Sequence, residues 1–387
     1  MSRVVILGGG FAAVAAVETL SKGIGSEHEI TIISADTDFV FYPALVPLVF
    51  GDFQPNEIQF DLRPELAKRN VRFIRAEVLA IDAERRSVKV TGDDVEGSVH
   101  FDYLLVALGR RLATEKVPGF FENANHILTI DAALKFKAAI ETFKSGAIVV
   151  GLCPDGLLPV PVCESALALA ERFKEQIADG AVTVTAVFPS TVEKAFAGAS
   201  MFRDIEGEFE RNGVRLVTAF QVERINETEL ISTDGTALPH NLLMLIPPFH
   251  GQSPVARLSQ VIDETGFAQV DSHLKVKGFD RIFAAGDIIA VMGPRFGYMA
   301  IREGKVAALN ILKELAGEEP SEEYVNNIEW ALGERFTDPV FFHYGFWDET
   351  LSDFDEDAFF GMAKLIRERY GSVKIPATSS WNPMANN

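Results

Sequence analysis

The two cysteines of the chain, Cys153 and Cys163, lie in one short segment together with the carboxylate of Glu164. The segment, residues 151–173, reads GLCPDGLLPVPVCESALALAERF. Cys153 ends a predicted strand, and Cys163 falls in the first turn of a predicted helix, where the dipole and free N–H groups lower a thiol pKa. Glu164 opposes that effect by charge repulsion but could move a proton, unless it is only a helix-start acid. We predict a redox pair or persulfide carrier; two small buried residues without chemistry are the alternative.

This segment has the position of a dinucleotide-binding turn but not its composition. It follows the apolar run AIVV at 147–150 and precedes a helical pattern. Such a turn needs Gly-x-Gly-x-x-Gly, and the following strand needs a terminal carboxylate. The prolines at 154, 159 and 161 fix φ and remove N–H donors, and the next strand, AVTVTAVF, ends without a carboxylate. NADH is therefore disfavoured as an electron donor.

A turn with the expected glycines occurs at the N-terminus instead. The strand pattern RVVIL is followed by Gly8-x-Gly10-x-x-Ala13, a helical pattern and a second strand, EITIIS. Gly8 permits the tight turn, Gly10 lets backbone approach a pyrophosphate, and Ala13 allows close helix packing. The usual ribose-binding carboxylate is missing at the second strand's end, where Ser34 and Asp36 are the candidates. We predict that this unit binds a dinucleotide.

Strand and helix patterns predict an α/β fold of two Rossmann-like domains, one inserted in the other, plus a C-terminal aromatic-rich region. The first domain takes residues 1–111 and resumes at 279–317, where IFAAGD is followed by a turn and an amphipathic helix. The inserted domain takes 112–278, and the C-terminal region takes 318–387.

Composition excludes several classes of protein. The formal charge of −19 argues against binding to nucleic acid or anionic lipid. Two cysteines in 387 residues form no disulfide framework, and no CxxC or Cys/His cluster predicts a metal site. The first residues lead straight into a strand, and no apolar run is long enough to cross a bilayer, so we expect a cytoplasmic location, with peripheral membrane contact as a further option.

Several motifs occur in the order found in flavoproteins with two dinucleotide folds. They are GGGFAA, FVFYPALVPLVFGD, FDYLLVALGRR, GFDRIFAAGDIIA and GPRFGYMAIREGKVAALNI. Over residues 2–315 the sequence most resembles the sulfide:quinone oxidoreductases, with flavocytochrome c sulfide dehydrogenase and type II NADH dehydrogenase as relatives. The resemblance implies FAD as the cofactor.

Carried over by motif, the resemblance also implies which residues contact FAD. These are Gly8, Gly10, Phe11 and Ala12 at the pyrophosphate; Ser34, Ala35, Val78, Gly109 and Arg110 at the adenosine half; Pro43 at the flavin ring; and Gly286 and Asp287 at the ribityl and phosphate portion. Asp287 would accept hydrogen bonds from hydroxyls of the flavin chain; its alternative role is a helix N-cap.

The chain departs from the resembled family in the turn before the last helix and in the cysteine of the inserted fold. Relatives commonly carry Pro-Lys-x-Gly before the last helix, whereas this chain has Pro294-Arg295-Phe296-Gly297. Arginine keeps the charge, so Arg295 should still stabilise reduced flavin, with Gly297 beside the cofactor. The family cysteine of the inserted fold aligns either with Cys163 or, in the register that spacing favours, with Leu158. That register places Glu164 on a glutamate that opens the helix in relatives.

The C-terminal region is rich in aromatic residues. In the resembled family it covers the flavin and forms an apolar quinone slot, and it carries a second cysteine, where this chain offers Trp330. The candidate ring-binding residues are Phe336, Phe341, Phe342, Phe346, Trp347, Phe354, Phe359 and Phe360. Packing against the main body or against a partner in a homo-oligomer is their alternative role.

The resemblance implies an FAD-dependent oxidoreductase that passes electrons from a small sulfur donor, through a cysteine and the flavin, to a quinone. A type II NADH:quinone reductase and a flavin-binding protein without sulfide chemistry are the alternatives.

Overall fold

The structure, a computed structural model, describes residues 2–51, 53–197, 205–258 and 262–325. The predicted quinone region therefore lies outside the described residues from position 326 onward, and so do Trp330 and the aromatic residues named with it.

The strands of the described residues form two large sheets and four smaller ones. They are β1 (Arg3–Leu7), β2 (Glu29–Ser34), β3 (Asp38–Val40), β4 (Gln59–Asp61), β5 (Val71–Arg75), β6 (Glu77–Asp82), β7 (Ser87–Thr91), β8 (Gly97–His100), β9 (Tyr103–Val106), β10 (Arg111–Leu112), β11 (Gly146–Leu152), β12 (Val182–Val187), β13 (Val214–Val217), β14 (Val222–Ile225), β15 (Glu229–Ser232), β16 (Ala237–Pro239), β17 (Leu242–Ile246), β18 (Phe249–His250) and β19 (Ile282–Ala284).

The helices of the described residues alternate with these strands. They are α1 (Phe11–Gly23), α2 (Leu45–Phe50), α3 (Arg63–Lys68), α4 (Phe120–Asn123), α5 (Ile130–Thr142), α6 (Val160–Arg172), α7 (Lys174–Ala178), α8 (Val192–Ala195), α9 (Ile205–Arg211) and α10 (Gly297–Leu315). Among them, no helix has both the length and the apolar composition that a bilayer crossing needs.

The first large sheet is parallel and has the strand order β19-β9-β1-β2-β5. Its central strand β1 is buried from Val4 to Leu7, as expected for an apolar strand covered on both faces. Helices α1 and α10 pack against each other. Their approach requires glycine at position 304, because a Cβ there would lie 2.2 Å from the carbonyl oxygen of Ala12.

The second large sheet is also parallel and has the order β13-β12-β11-β17. Its strand β11 is buried from Ile148 to Leu152 and is followed by the proline-rich loop and α6, which packs against β11, β12 and β13. The structure thus has a second βαβ unit at the predicted place, and α6 begins at Val160, just before Cys163.

Two short strands connect the sheets. Strand β10 follows β9 of the first sheet, and β18 follows β17 of the second sheet. The two short strands pair antiparallel with each other. Arg111 lies opposite His250, and Leu112 opposite Phe249. Because β19 then returns to the first sheet beside β9, the second fold is inserted in the first, and the predicted fold class is confirmed. The residue boundaries given for the domains stay a prediction.

Candidate functional site

The glycine turn between β1 and α1 forms the base of the candidate site. Gly8 has φ +104°, and a Cβ there would lie 2.2 Å from the carbonyl oxygen of Ala107, so this position needs glycine. Gly10 precedes the helix, and a Cβ there would meet nothing within 4 Å. Open space therefore lies directly before the N-terminus of α1, whose first N–H groups have no partner within the helix. This arrangement suits an anion such as a pyrophosphate.

Most of the predicted cofactor-contacting residues converge on this turn. A Cβ on Gly9 would lie 3.2 Å from Ser34 Oγ, and one on Gly286 would lie 3.2 Å from Ala12 Cβ. The start of α10 also reaches α1, since a Cβ on Gly297 would lie 3.3 Å from the ring of Phe11. The two ends of the first fold, separated by the inserted fold in sequence, thus meet at one place.

The side chain of Phe11 belongs to the core rather than to a ligand surface. It is buried and packs edge-to-face on Phe39 and Phe41, with ring centroids 5.0 and 5.7 Å apart. Its backbone alone is therefore available at the helix start. Pro43 follows Phe41 in a half-buried 3₁₀ turn, Tyr42–Ala44.

The remaining residues assigned to the adenosine half lie around the ends of β2, β6 and β9. Ala35 is exposed just after β2, and Val78 is buried on β6. Gly109 has φ +65°, and a Cβ there would meet nothing within 4 Å. The chain around Gly109 is held by Gln252, whose Nε2 donates to the carbonyl oxygens of Leu108 (3.3 Å) and Arg110 (3.0 Å).

Arg110 and Asp287 form an ion pair at the mouth of the site. Both side chains are largely buried, and the guanidinium lies over the ring of Phe249, 4.2 Å from its centroid. The resemblance assigns these two residues to opposite halves of the cofactor, whereas the structure puts them in contact. Burial lowers the pKa of Arg110 to about 10, Tyr42 opposes this, and the charge of Arg295 adds to it. The contact with the Asp287 carboxylate favours the charged guanidinium.

Arg295 joins the first fold to the loop of the second. Its backbone N–H donates to Leu157 O at 2.8 Å, and its Nη2 donates to Ile289 O at 2.9 Å. The side chain is buried against the ring of Phe267, and burial lowers its pKa while the nearby Glu303 carboxylate opposes the shift. Its Nε is buried without a hydrogen-bond partner among the described residues, as is Arg110 Nε.

Glu303 is a site residue that sequence reasoning missed. It is 3% exposed on α10, and its Oε2 accepts a hydrogen bond of 2.7 Å from the backbone N–H of Gly286. It lines one narrow cleft with Asp287 and Arg295. The signal was present in the pattern, because Glu303 falls among Ala300, Ala307 and other buried positions on the apolar face of the helix.

The two thiols are fully buried and lie in different hydrophobic clusters. Cys153 packs in the cluster that contains Phe220 and Leu230, whereas Cys163 belongs to the main core. Both are free, and burial raises both pKa values. The prediction that the helix start lowers the pKa of Cys163 is wrong, because loss of solvent outweighs the dipole and the Glu164 charge adds to the rise. Glu164 itself is half-buried, and burial raises its pKa to about 8.

The loop between β11 and α6 closes over the carboxyl ends of the second sheet. A Cβ on Gly156 would lie 2.9 Å from both the Cys153 and Ile246 carbonyl oxygens, so the loop lies directly on β11 and β17. Phe249 N–H donates to Asp155 O at 2.9 Å, and the Arg295 N–H holds Leu157. Pro159 stands at the N-cap of α6, so this helix start lacks an N–H group that a pyrophosphate would use.

Comparison with known proteins agrees with this architecture. The sequence pattern of the pyridine nucleotide-disulphide oxidoreductases matches residues 2–304, most of the chain. The chain belongs to this family. The prediction of a flavin-dependent oxidoreductase enzyme is thereby confirmed.

The relatives of this oxidoreductase include proteins named for different electron donors. The sulfide-quinone reductase of Aquifex aeolicus (strain VF5) is 25% identical over 336 residues, which cover 81% of this chain and 76% of the relative. The external alternative NAD(P)H-ubiquinone oxidoreductase B2 of Arabidopsis thaliana mitochondria is 24% identical, over 75% of this chain but only 54% of its own length.

A solved structure supports the fold. The X-ray structure of the Aquifex aeolicus sulfide:quinone oxidoreductase superposes with a TM-score of 0.76 at 24% identity, covering 82% of this chain and 78% of the other. At this identity the likeness concerns the fold, and the resemblance to the sulfide:quinone group found from the motifs is confirmed at that level.

Proposed function

We propose that this oxidoreductase binds FAD at the β1–α1 turn and passes electrons from a small reduced sulfur donor, rather than from NAD(P)H, to a quinone. The observation that carries the proposal is the closed loop between β11 and α6, fixed to the first fold through Arg295 and Leu157. It stands where a second dinucleotide would otherwise bind.

The residues of the first fold fit FAD. Open space before Gly10 and beside Gly109 leaves room for backbone to approach a ligand. The N-terminus of α1 would hold the pyrophosphate, and Asp287 would accept hydrogen bonds from hydroxyl groups. The unpartnered Nε atoms of Arg110 and Arg295 are donors that an anionic or carbonyl group could satisfy. FAD, when bound, supplies two-electron redox chemistry that side chains lack.

Arg295 is the residue best placed to favour electron uptake. Its guanidinium is buried, so its charge acts in a medium of low dielectric constant on any negative charge that develops nearby. The hydrogen bond to Ile289 O fixes the orientation of the group. This supports the predicted role of Arg295 in stabilising reduced flavin, and its backbone N–H also holds the loop of the second fold.

The burial of both thiols favours a donor that reacts at the cofactor without passing through a cysteine. A thiol must ionise to act as a nucleophile, and burial opposes ionisation at both Cys153 and Cys163. We therefore expect C153S and C163S to keep reduction by the donor, provided that each variant folds. If a cysteine carried the sulfur, its substitution by serine would abolish reduction of the flavin by the donor.

The quinone acceptor is proposed from the kind of relatives found and from the aromatic sequence after residue 326. A water-insoluble quinone would be met at a membrane surface, so we propose peripheral contact with the bilayer on the cytoplasmic side. Flotation with liposomes that contain quinone tests this placement. Protein that stays at the bottom of the gradient would contradict it.

The test of the proposal is an anaerobic titration of the FAD-loaded protein with sulfide, followed by addition of a water-soluble quinone. We expect sulfide to bleach the visible flavin absorption and the quinone to restore it. A flavin that sulfide leaves oxidised would contradict the donor assignment. If NADH also fails to bleach the flavin, the result would favour the alternative of a flavin-binding protein without sulfide chemistry.

A further inference from the structure

Glu303 is a buried carboxyl group beside the proposed FAD site. One oxygen accepts the Gly286 N–H, in the turn that leads to Asp287. Gly286 has φ +80° and lies against Ala12 at the start of α1. Glu303 therefore holds the turn that would bind the ribityl and phosphate portion of FAD, and it lines the same cleft as Asp287.

The exit segment, residues 321–325 after α10, folds back and places Tyr324 against this carboxyl group. The buried Asn310 holds the exit segment: its Nδ2 donates to the carbonyl oxygens of His273 (3.0 Å) and Glu322 (2.8 Å), and its Oδ1 accepts from Ser321 and Glu322 N–H. Tyr324 N–H then donates to Ser272 O at 2.7 Å. The tyrosine side chain is buried and hydrogen-bonds to Glu303, so the exit segment contacts the proposed FAD site through Glu303.

The groups that face Glu303 come from each element packed around it. Arg295 approaches from the turn before α10, Arg302 from the same helix, and Tyr324 from the exit segment. Asp287 lines the cleft from the turn after β19. Burial raises the pKa of Glu303 to about 7, although Tyr324, Arg295, the Gly286 N–H and Arg302 favour the ionised form. The carboxyl group thus changes charge near neutral pH.

We propose that Glu303 takes up a proton when FAD binds beside Gly286 and Asp287, and that Tyr324 sets the pH at which it does so. This rests on the proposed FAD site. FAD brings a negatively charged pyrophosphate to the turn that Glu303 holds, and this charge disfavours a carboxylate close to it. The proton comes from solvent, no covalent bond to FAD forms, and Glu303 stays in contact with Gly286 through its remaining acceptor oxygen.

The linkage has a size that can be measured. If binding raises the Glu303 pKa by about one unit, FAD binding takes up about half a proton per molecule near pH 7.5 and about a tenth near pH 6. The same linkage makes the dissociation constant about eightfold larger near pH 9 than near pH 6.

The experiment is isothermal titration of the FAD-free full chain with FAD in buffers of different ionisation enthalpy, between pH 6 and pH 9. E303Q should bind FAD with no proton uptake in this range and with a flat pH dependence. E164Q is the matched control, because Glu164 also has a raised pKa but lies on α6 of the second fold. This variant should keep the uptake of the unmodified protein.

Y324F tests the link to the exit segment and does not depend on how E303Q folds. The hydrogen bond from Tyr324 favours the carboxylate, so its loss should move the window of proton uptake to higher pH. Equal proton uptake in E303Q and the unmodified protein would overturn the proposal. An unshifted pH window in Y324F would also overturn it, as would loss of proton uptake in E164Q but not in E303Q. Failure of the unmodified chain to bind FAD at any pH would instead overturn the proposed function.

Discussion

Substitution of Gly10 by alanine should separate the stability of the fold from the binding of the cofactor. Gly10 has φ −85° and ψ −167°, a conformation open to alanine, and a Cβ there meets no protein atom within 4 Å. Replacing glycine at such a position gains about 0.4–1 kcal/mol from the unfolded chain and loses about 0.5–1 kcal/mol at a helix N-cap, where glycine is favoured over alanine. The free energy of unfolding should therefore change by less than about 1 kcal/mol.

The added methyl group occupies the space through which a pyrophosphate approaches the backbone. Forcing one methyl group into a packed contact costs about 1–3 kcal/mol. FAD should then bind between about fivefold and about 150-fold more weakly. Urea unfolding of the FAD-free protein gives the first quantity, and quenching of FAD fluorescence on binding gives the second.

Gly8 provides the contrasting variant. Its φ of +104° and the 2.2 Å approach of Ala107 O mean that G8A should lose at least about 2 kcal/mol of stability as well as FAD. Full FAD affinity in G10A would refute the assignment of the pyrophosphate to this turn. A large loss of stability in G10A would refute the reasoning that the space before α1 is open.

Three further predictions concern buried groups. Burial lowers the pKa of His240 below its ordinary value, so the unfolded chain binds more protons than the folded chain below about pH 6.5. The free energy of unfolding in urea should therefore fall from pH 7 to pH 5.5, and it should fall less in H240Q. Equal slopes in the two proteins would contradict this. Cys153 and Cys163 should be alkylated by iodoacetamide only as fast as the native protein opens, followed by mass spectrometry; rapid labelling of the native protein would contradict their burial. D287N leaves Arg110 without its partner and should lower the free energy of unfolding of the FAD-free protein by about 3 kcal/mol, with R110M/D287N recovering part of the loss; an unchanged midpoint in urea would show that the pair adds nothing.

The elements and the glycine turn were predictable because they follow from local rules. The apolar run RVVIL became β1 with the predicted limits, and Gly8 occupies a conformation that favours glycine. The inserted second fold followed from the repeated strand and helix pattern. The poor phosphate-binding composition of the turn after β11 was also readable locally, because prolines cannot supply the N–H groups that a phosphate needs.

The environment of the reactive side chains was not predictable in the same way. The state of Cys163 depends on how deeply α6 packs, and burial reversed the pKa shift expected from the helix dipole alone. The contacts of Arg110 with Asp287 and of Glu303 with Gly286 join residues far apart in sequence. A charged residue on the apolar face of α10 was the one local sign of the second contact.

The central claim is that the second fold of this oxidoreductase has exchanged its pyridine nucleotide site for a closed loop tied to Arg295. The most direct measurement mixes the FAD-loaded protein anaerobically with NADH, with NADPH and with sulfide, and follows the flavin absorption in a stopped-flow instrument. The account predicts that sulfide bleaches the flavin while neither nucleotide does so at comparable concentration. Rapid bleaching by NADH or NADPH, with no response to sulfide, would contradict it.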